Sequence, residues 1–239
     1  AAGAVVLTAL LIARDKSLAV PTRPDVVAVA GLTAYLLGFS YAYVSMDAGL
    51  GALVLFGGVQ LTMFGGAVAG GDRPPPQRWL GMALAMGGLA VLTIPSEAAP
   101  APGPAFLLMG IAALGWGMYS LRGRGARDPV RATGWNFLFS LPLVAVCALA
   151  LPDATGPTRA GVTLALASGG VTSALGYALW YHLLPQLGAT RGALAQLSVP
   201  AIALGLGAML LGEAVTGTAL LSAALILGGI AVGLLPRSK

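Results

Sequence analysis

Charge is absent from this chain in long, recurring runs. Between short clusters of charged, proline and glycine residues, stretches of about 17 to 23 residues without Asp, Glu, Lys or Arg follow one another along the sequence. As a helix rising 1.5 Å per residue, such a run is long enough to cross a hydrocarbon core about 30 Å thick. No aqueous fold has the interior to hide so much apolar surface, since 57% of the residues are hydrophobic and only 9% charged, against roughly a quarter charged in a soluble domain. The chain therefore reads as all-α, a polytopic helical membrane protein whose first partner is the lipid bilayer.

Reading the runs between breakers gives nine spans, near residues 1–13, 26–45, 48–71, 79–95, 104–121, 132–151, 160–182, 188–211 and 217–235. The breakers, such as "GDRPPPQR" and "RGRGARDPVR", combine Pro, Gly and charge as loops do. Placing alternate loops on alternate sides collects twelve of the thirteen basic residues with the C-terminal "RSK" on one side and leaves only Arg159 opposite. Lys and Arg near span ends are retained in the cytoplasm. That asymmetry puts the C-terminus in the cytoplasm and Ala1 outside, in a bacterial inner (plasma) membrane. The net charge of +5 is thus accounted for by topology, and no nucleic-acid partner is expected. Cys147 lies inside a span and has no second cysteine to pair with.

The chain also repeats itself. An offset of 141 residues aligns Gly51-Ala52-Leu53 with Gly192-Ala193-Leu194, Gly71-Asp72 with Gly212-Glu213, Gly87 to Val91 with Gly228 to Val232, and Pro95 with Pro236. Upstream, an offset of 138 aligns Leu37-Gly38 with Leu175-Gly176 and Tyr43 with Tyr181. The Asp72 and Glu213 loops fall on opposite sides of the membrane, so the repeats are inverted, an arrangement many secondary transporters use around one central site. The first repeat, residues 1–97, carries four spans and the second, residues 98–239, carries five. A tenth, native first span is expected upstream of the nine seen.

At this point the residues resemble the drug/metabolite transporter superfamily, in its EamA-type ten-helix members. "GDRPPPQRWLGMALAMGGLAVL" (71–92) is similar to that family's acidic turn followed by a Trp-Leu-Gly helix. The stretch from Gly192 to Leu235 is similar to its final helical hairpin, and "ALGWGMYSLRGRG" (113–125) to the start of its second repeat. The resemblance implies a basket of ten helices around a central cavity, working by alternating access to move metabolites, amino acids or drugs, often outward. The first helix, which in the family helps to line the cavity, is the one expected upstream of these residues.

Inside the spans there is essentially no ionisable side chain, which argues against a buried carboxylate exchanging protons for cationic drugs. Asp72 and Glu213 read as turn or capping residues at the start of the following helix. The polar interruptions are Gln60 and Gln196. An amide in hydrocarbon costs several kcal/mol unless it is paired or wetted, so each either glues helices together or lines a wet cavity that binds substrate, and helical spacing does not choose between the two. Phe56 and Phe64 flank Gln60 at four-residue spacing on one face. Tyr35, Phe39, Trp116, Tyr119 and Tyr177 lie deep enough in their spans to stack against an apolar or aromatic substrate. Trp79, Trp180, Tyr181 and Tyr43 sit near span ends and read as the interfacial aromatic belt. Pro200 is a candidate hinge. Gly66 with Gly70 and Gly229 with Gly233 form small-residue pairs that let helices approach closely.

These features favour a secondary transporter holding a small-molecule substrate with amides and aromatics. A non-transporting membrane assembly subunit is the alternative, and an intramembrane enzyme a weaker one, since one His at a span end and one Cys offer neither a catalytic pair nor metal ligands. No cofactor and no metal are expected, and nothing in the residues sets the oligomeric state.

Overall fold

The structure, a computed structural model, describes residues 1–16, 20–21, 23–46, 48–93, 103–150, 158–211 and 216–235. Among these residues there is no strand. The helices are α1 (Ala2–Asp15), α2 (Val26–Ala42), α3 (Ala48–Ala69), α4 (Pro76–Thr93), α5 (Gly103–Gly123), α6 (Pro129–Ala150), α7 (Arg159–Ala167), α8 (Gly176–Leu187), α9 (Ala189–Gln196), α10 (Ser198–Leu211) and α11 (Gly217–Leu234), with a π-helical segment, Ser168–Leu175, joining α7 to α8. Four continuous helical stretches, 103–123, 129–150, 159–187 and 217–234, have the length and hydropathy to cross a membrane. Within the described residues each of the nine apolar runs is mostly helical, and two are subdivided: the seventh carries the π segment, and the eighth breaks at Leu197 between α9 and α10. The protein is a helical membrane protein.

Local chemistry sets the helix ends. Asp25 and Asp128 precede α2 and α6, and their carboxylates accept from the backbone N–H of Ala28 and Arg131, each at 3.0 Å, satisfying donors that the first turn leaves open. Thr158 and Thr216 do the same for α7 and α11. Pro76 and Pro129 open α4 and α6, where a missing N–H costs nothing. After α3, Gly71 takes φ +92, and the Asp72 and Gly71 N–H groups return to the carbonyls of Ala67 and Val68. This closes the last turn in the manner that a left-handed glycine permits. Asp72 therefore sits in the turn, as its position in the sequence indicates; Glu213 lies outside the described residues.

By packing, the chain divides into two compact units, Ala1–Ala34 with Met118–Gln186, and Tyr35–Gly117 with Leu187–Lys239. In the first, α1 lies against α6 and the π segment, and the buried hydroxyl of Thr33 donates to Ser140 at 3.0 Å, joining the start of α2 to α6. In the second, the broadest contact is between α4 and α11. A Cβ placed on Gly229 would meet the Gly81 carbonyl at 2.6 Å and the Ala85 N at 2.7 Å, so the two backbones touch because nothing stands between them. Ser222 adds a polar stitch by donating to the Gly88 carbonyl at 2.6 Å. Beneath that seam Ala85, Leu89, Leu194, Leu197 and Ile226 form a buried cluster.

Candidate functional site

Gln60 lies near the middle of α3 and is 0% exposed. Neither its amide nitrogen nor its amide oxygen has a hydrogen-bond partner in the structure. Of its two flanking rings, Phe56 packs against the Ala85–Leu194–Ile226 cluster, and the buried Phe64 meets Trp79 edge-on at 4.7 Å. The rings are thus engaged in packing, and neither polar atom of the amide between them has a hydrogen-bond partner among the described residues.

Gln196, on α9 in the same packing unit, is 8% exposed and bonded at both its polar atoms. Its oxygen accepts from the Trp116 indole at 2.6 Å, and its nitrogen donates to the Met63 sulfur at 3.2 Å. One amide thereby joins α9 to α5 and α3. The chain of contacts continues from Trp116 to Tyr35, with centroids 4.8 Å apart, to Phe39, stacked on Tyr35 at 5.3 Å, and to Tyr43 at 5.8 Å. Sequence reasoning selected Tyr35, Phe39, Trp116 and Gln196 separately, and the structure brings them together in one row.

Pro200 falls in the first turn of α10. It has no N–H to return to the carbonyl of Gln196, the last residue of α9, and the helix breaks between them at Leu197. Ser198 donates its hydroxyl to Ala195 O at 2.7 Å beside that break. The chain thus passes from α9 to α10 through a joint at Leu197.

Tyr119 and Tyr177 belong to the other packing unit. Their rings are 6.4 Å apart, Phe137 stands 5.6 Å from Tyr177, and Tyr181 closes on Tyr119 at 4.4 Å. Tyr181 differs from its reading as a belt residue. It is 2% exposed, its hydroxyl donates to the Tyr119 carbonyl at 2.9 Å, and Gly123 leaves room for its ring. Trp180 also turns a polar atom inward, donating to Ser120 at 3.0 Å.

Sequence reasoning missed a charged network in that same unit. Arg14 donates to both Asp15 and Asp128, Arg131 donates to Asp15 at 2.7 Å, and Arg122 donates to Asp25 at 2.8 Å. The hydrogen bond from Arg14, and then that from Arg131, holds the Asp15 carboxyl well below the usual carboxylate range, and Arg14 lowers Asp128 likewise. Asp25 and Asp128 thus cap helices and anchor arginines at once. An Asp directly before an apolar run is the signal that marks them.

Long apolar helices, closed helix ends and a few buried polar groups define a polytopic helical membrane protein. Comparison with known proteins makes this particular. A model of the EamA-like transporter family matches residues 103–235, more than half of the chain. An uncharacterised protein of Pseudomonas aeruginosa is 44% identical over 235 residues, covering 98% of this chain and 81% of that one. A Salmonella typhimurium protein named "Probable amino-acid metabolite efflux pump" is 29% identical over 218 residues, covering 84% and 73%. A solved crystal structure at 24% identity superposes with a TM-score of 0.83 over 98% of this chain and 85% of its own, which shows a shared fold. The chain belongs to the EamA-like transporter family, and it is a membrane transporter.

Proposed function

We propose that the protein exports small neutral metabolites, amino acids and their relatives first among them and drugs a further class, by alternating access of two inverted repeats, residues 1–97 and 98–239. In this reading the C-terminus is cytoplasmic and the membrane is the bacterial inner membrane, as the distribution of arginines supports. The observation that carries the proposal is the Gln60 amide, wholly buried with both atoms unpartnered. A buried polar group left unpaired costs about 1 to 3 kcal/mol, and an arriving substrate that pairs with it recovers that cost. An amide both donates and accepts. It matches the amino and carboxyl groups of a zwitterion without adding a charge that would itself have to be desolvated. Phe56, Phe64, Tyr35, Phe39 and Trp116, in the same packing unit as Gln60, complete the proposed lining, with Gln196 holding the Trp116 indole in place, and the α9–α10 joint next to Pro200 supplies the hinge. The relative named as an efflux pump supports both the direction and the substrate class.

Proteoliposomes loaded with a panel of radiolabelled amino acids test this. At least one amino acid is expected to leave faster than from empty-protein controls, with Gln60→Leu cutting that flux about tenfold or more. Flux of no panel member, as from an assembly subunit, or flux indifferent to Gln60→Leu, overturns the reading.

A further inference from the structure

In the first packing unit the α5–α6 loop, the start of α2 and the first turns of α6 surround a pocket of about 980 Å³, a size that suits a whole small ligand. Among the described lining residues, five are arginines, Arg23, Arg122, Arg124, Arg127 and Arg131, and two are aspartates, Asp25 and Asp128; with Arg124 set aside, four arginines against two aspartates still leave a surplus of two positive charges. The aspartates do not neutralise the pocket; they brace it. Arg122 uses Nε alone to reach both Asp25 oxygens, at 2.8 and 3.1 Å, so that pair leaves its terminal nitrogens unused. Arg131 is steadied by Asp15 at 2.7 Å. Two guanidinium groups are therefore held in place before any ligand arrives, which reduces the ordering cost of binding. Arg23 and Arg127 stand exposed at the rim.

Apart from Asn136 and Tyr181, the rest of the wall is apolar. Trp135 and Phe139, stacked with centroids 5.3 Å apart, and Leu121 rise from the membrane-spanning parts of α6 and α5. One half of the pocket thus suits a phosphate and the other half suits hydrocarbon, at the level where the spans end and the arginine loop begins. Arginine clusters next to a span end are suited to anionic lipid headgroups, which attract juxtamembrane basic side chains and accept their hydrogen bonds. A free phosphate would leave the aromatic wall unused, and a zwitterionic lipid would bring its own cation into a pocket already in cationic surplus.

We propose that this pocket binds the phosphodiester headgroup of an anionic phospholipid, its glycerol and first acyl carbons lying along Trp135 and Phe139. The site stands independently of the transported substrate and of Gln60, which belongs to the other packing unit.

The test uses the full chain purified in detergent, read by native mass spectrometry and thermal unfolding with added phosphatidylglycerol, phosphatidylcholine or glycerol 3-phosphate. Phosphatidylglycerol is expected to be retained as a bound adduct and to raise the Tm, phosphatidylcholine to do neither, and glycerol 3-phosphate at millimolar concentration to leave the Tm unchanged. The double substitution Arg23→Gln with Arg127→Gln should lower phosphatidylglycerol retention at least fivefold, and lysine at both positions should restore most of it. The single substitutions, each expected to give part of the loss, serve if the double variant does not fold. Equal retention of the two lipids, full retention by the glutamine variants, or a Tm shift from glycerol 3-phosphate matching that from the lipid would overturn the proposal, the last by making this a site for soluble phosphates.

Discussion

Gln60 and Gln196 are the same side chain in the same packing unit, each buried among apolar helices, and the structure treats them oppositely. Gln196 gives its oxygen to Trp116 and its nitrogen to Met63, so its burial cost is offset by two bonds that tie α9 to α5 and α3. Gln60 has no such partner for either atom. A buried amide with its bonds made is an element of architecture. One without them is a cost that stability alone does not select, and its benefit has to be sought in function. Of the two polar interruptions, Gln196 is the one that belongs to the scaffold.

Experiments on the scaffold side should be felt most strongly at the α4–α11 seam. Gly229→Val would drive a side chain into the Gly81 carbonyl and Ala85 backbone, and is expected to cost about 3 kcal/mol, read as a large loss of Tm and of folded yield in detergent. Gln196→Ala comes next. It removes the partner of the Trp116 indole and should cost about 1 to 2 kcal/mol. Trp116→Phe in the same background should then add little, because their shared bond is already gone, and a double-mutant cycle checks this. The smallest effect concerns pH. Neither amide titrates, so the contrast between them should be constant from pH 5 to 8. Asp15 and Asp128 have carboxyls lowered in the folded state. Their contribution is complete above the unfolded value of about 4 and is lost as pH falls below it through the folded values. Asp128→Asn should accordingly lower the Tm slightly at neutral pH, with the gap from the parent closing only below about pH 4.

Much of this architecture was legible in the residues. Charge-free runs, prolines at helix starts and Gly71 before Asp72 mark the helices because desolvation and backbone geometry act locally. The Gly229–Gly233 packing pair was legible for the same reason, as a small-residue pattern on one helix. Partners distant in sequence were not. Nothing in the stretch around Trp116 announces that Gln196 lies 2.6 Å away, nor around Arg122 that Asp25 receives it, because those pairings follow from packing of whole helices. Tyr181 shows the same limit: its place near a span end suggested the membrane interface, and only the opposing Gly123 and the Tyr119 carbonyl explain why it turns inward. The breaks at Leu197 and in the Ser168–Leu175 π segment were likewise hidden, apart from the hint that Pro200 gives.

Gln60→Leu tests the central claim most directly, with thermal unfolding and amino-acid flux measured on the same preparation. Replacing an orphaned amide with an apolar group of similar size should raise stability by about 1 kcal/mol or more while flux collapses. A lower Tm would show the amide to be bonded scaffold like Gln196, and undiminished flux at any Tm would show that no substrate depends on it.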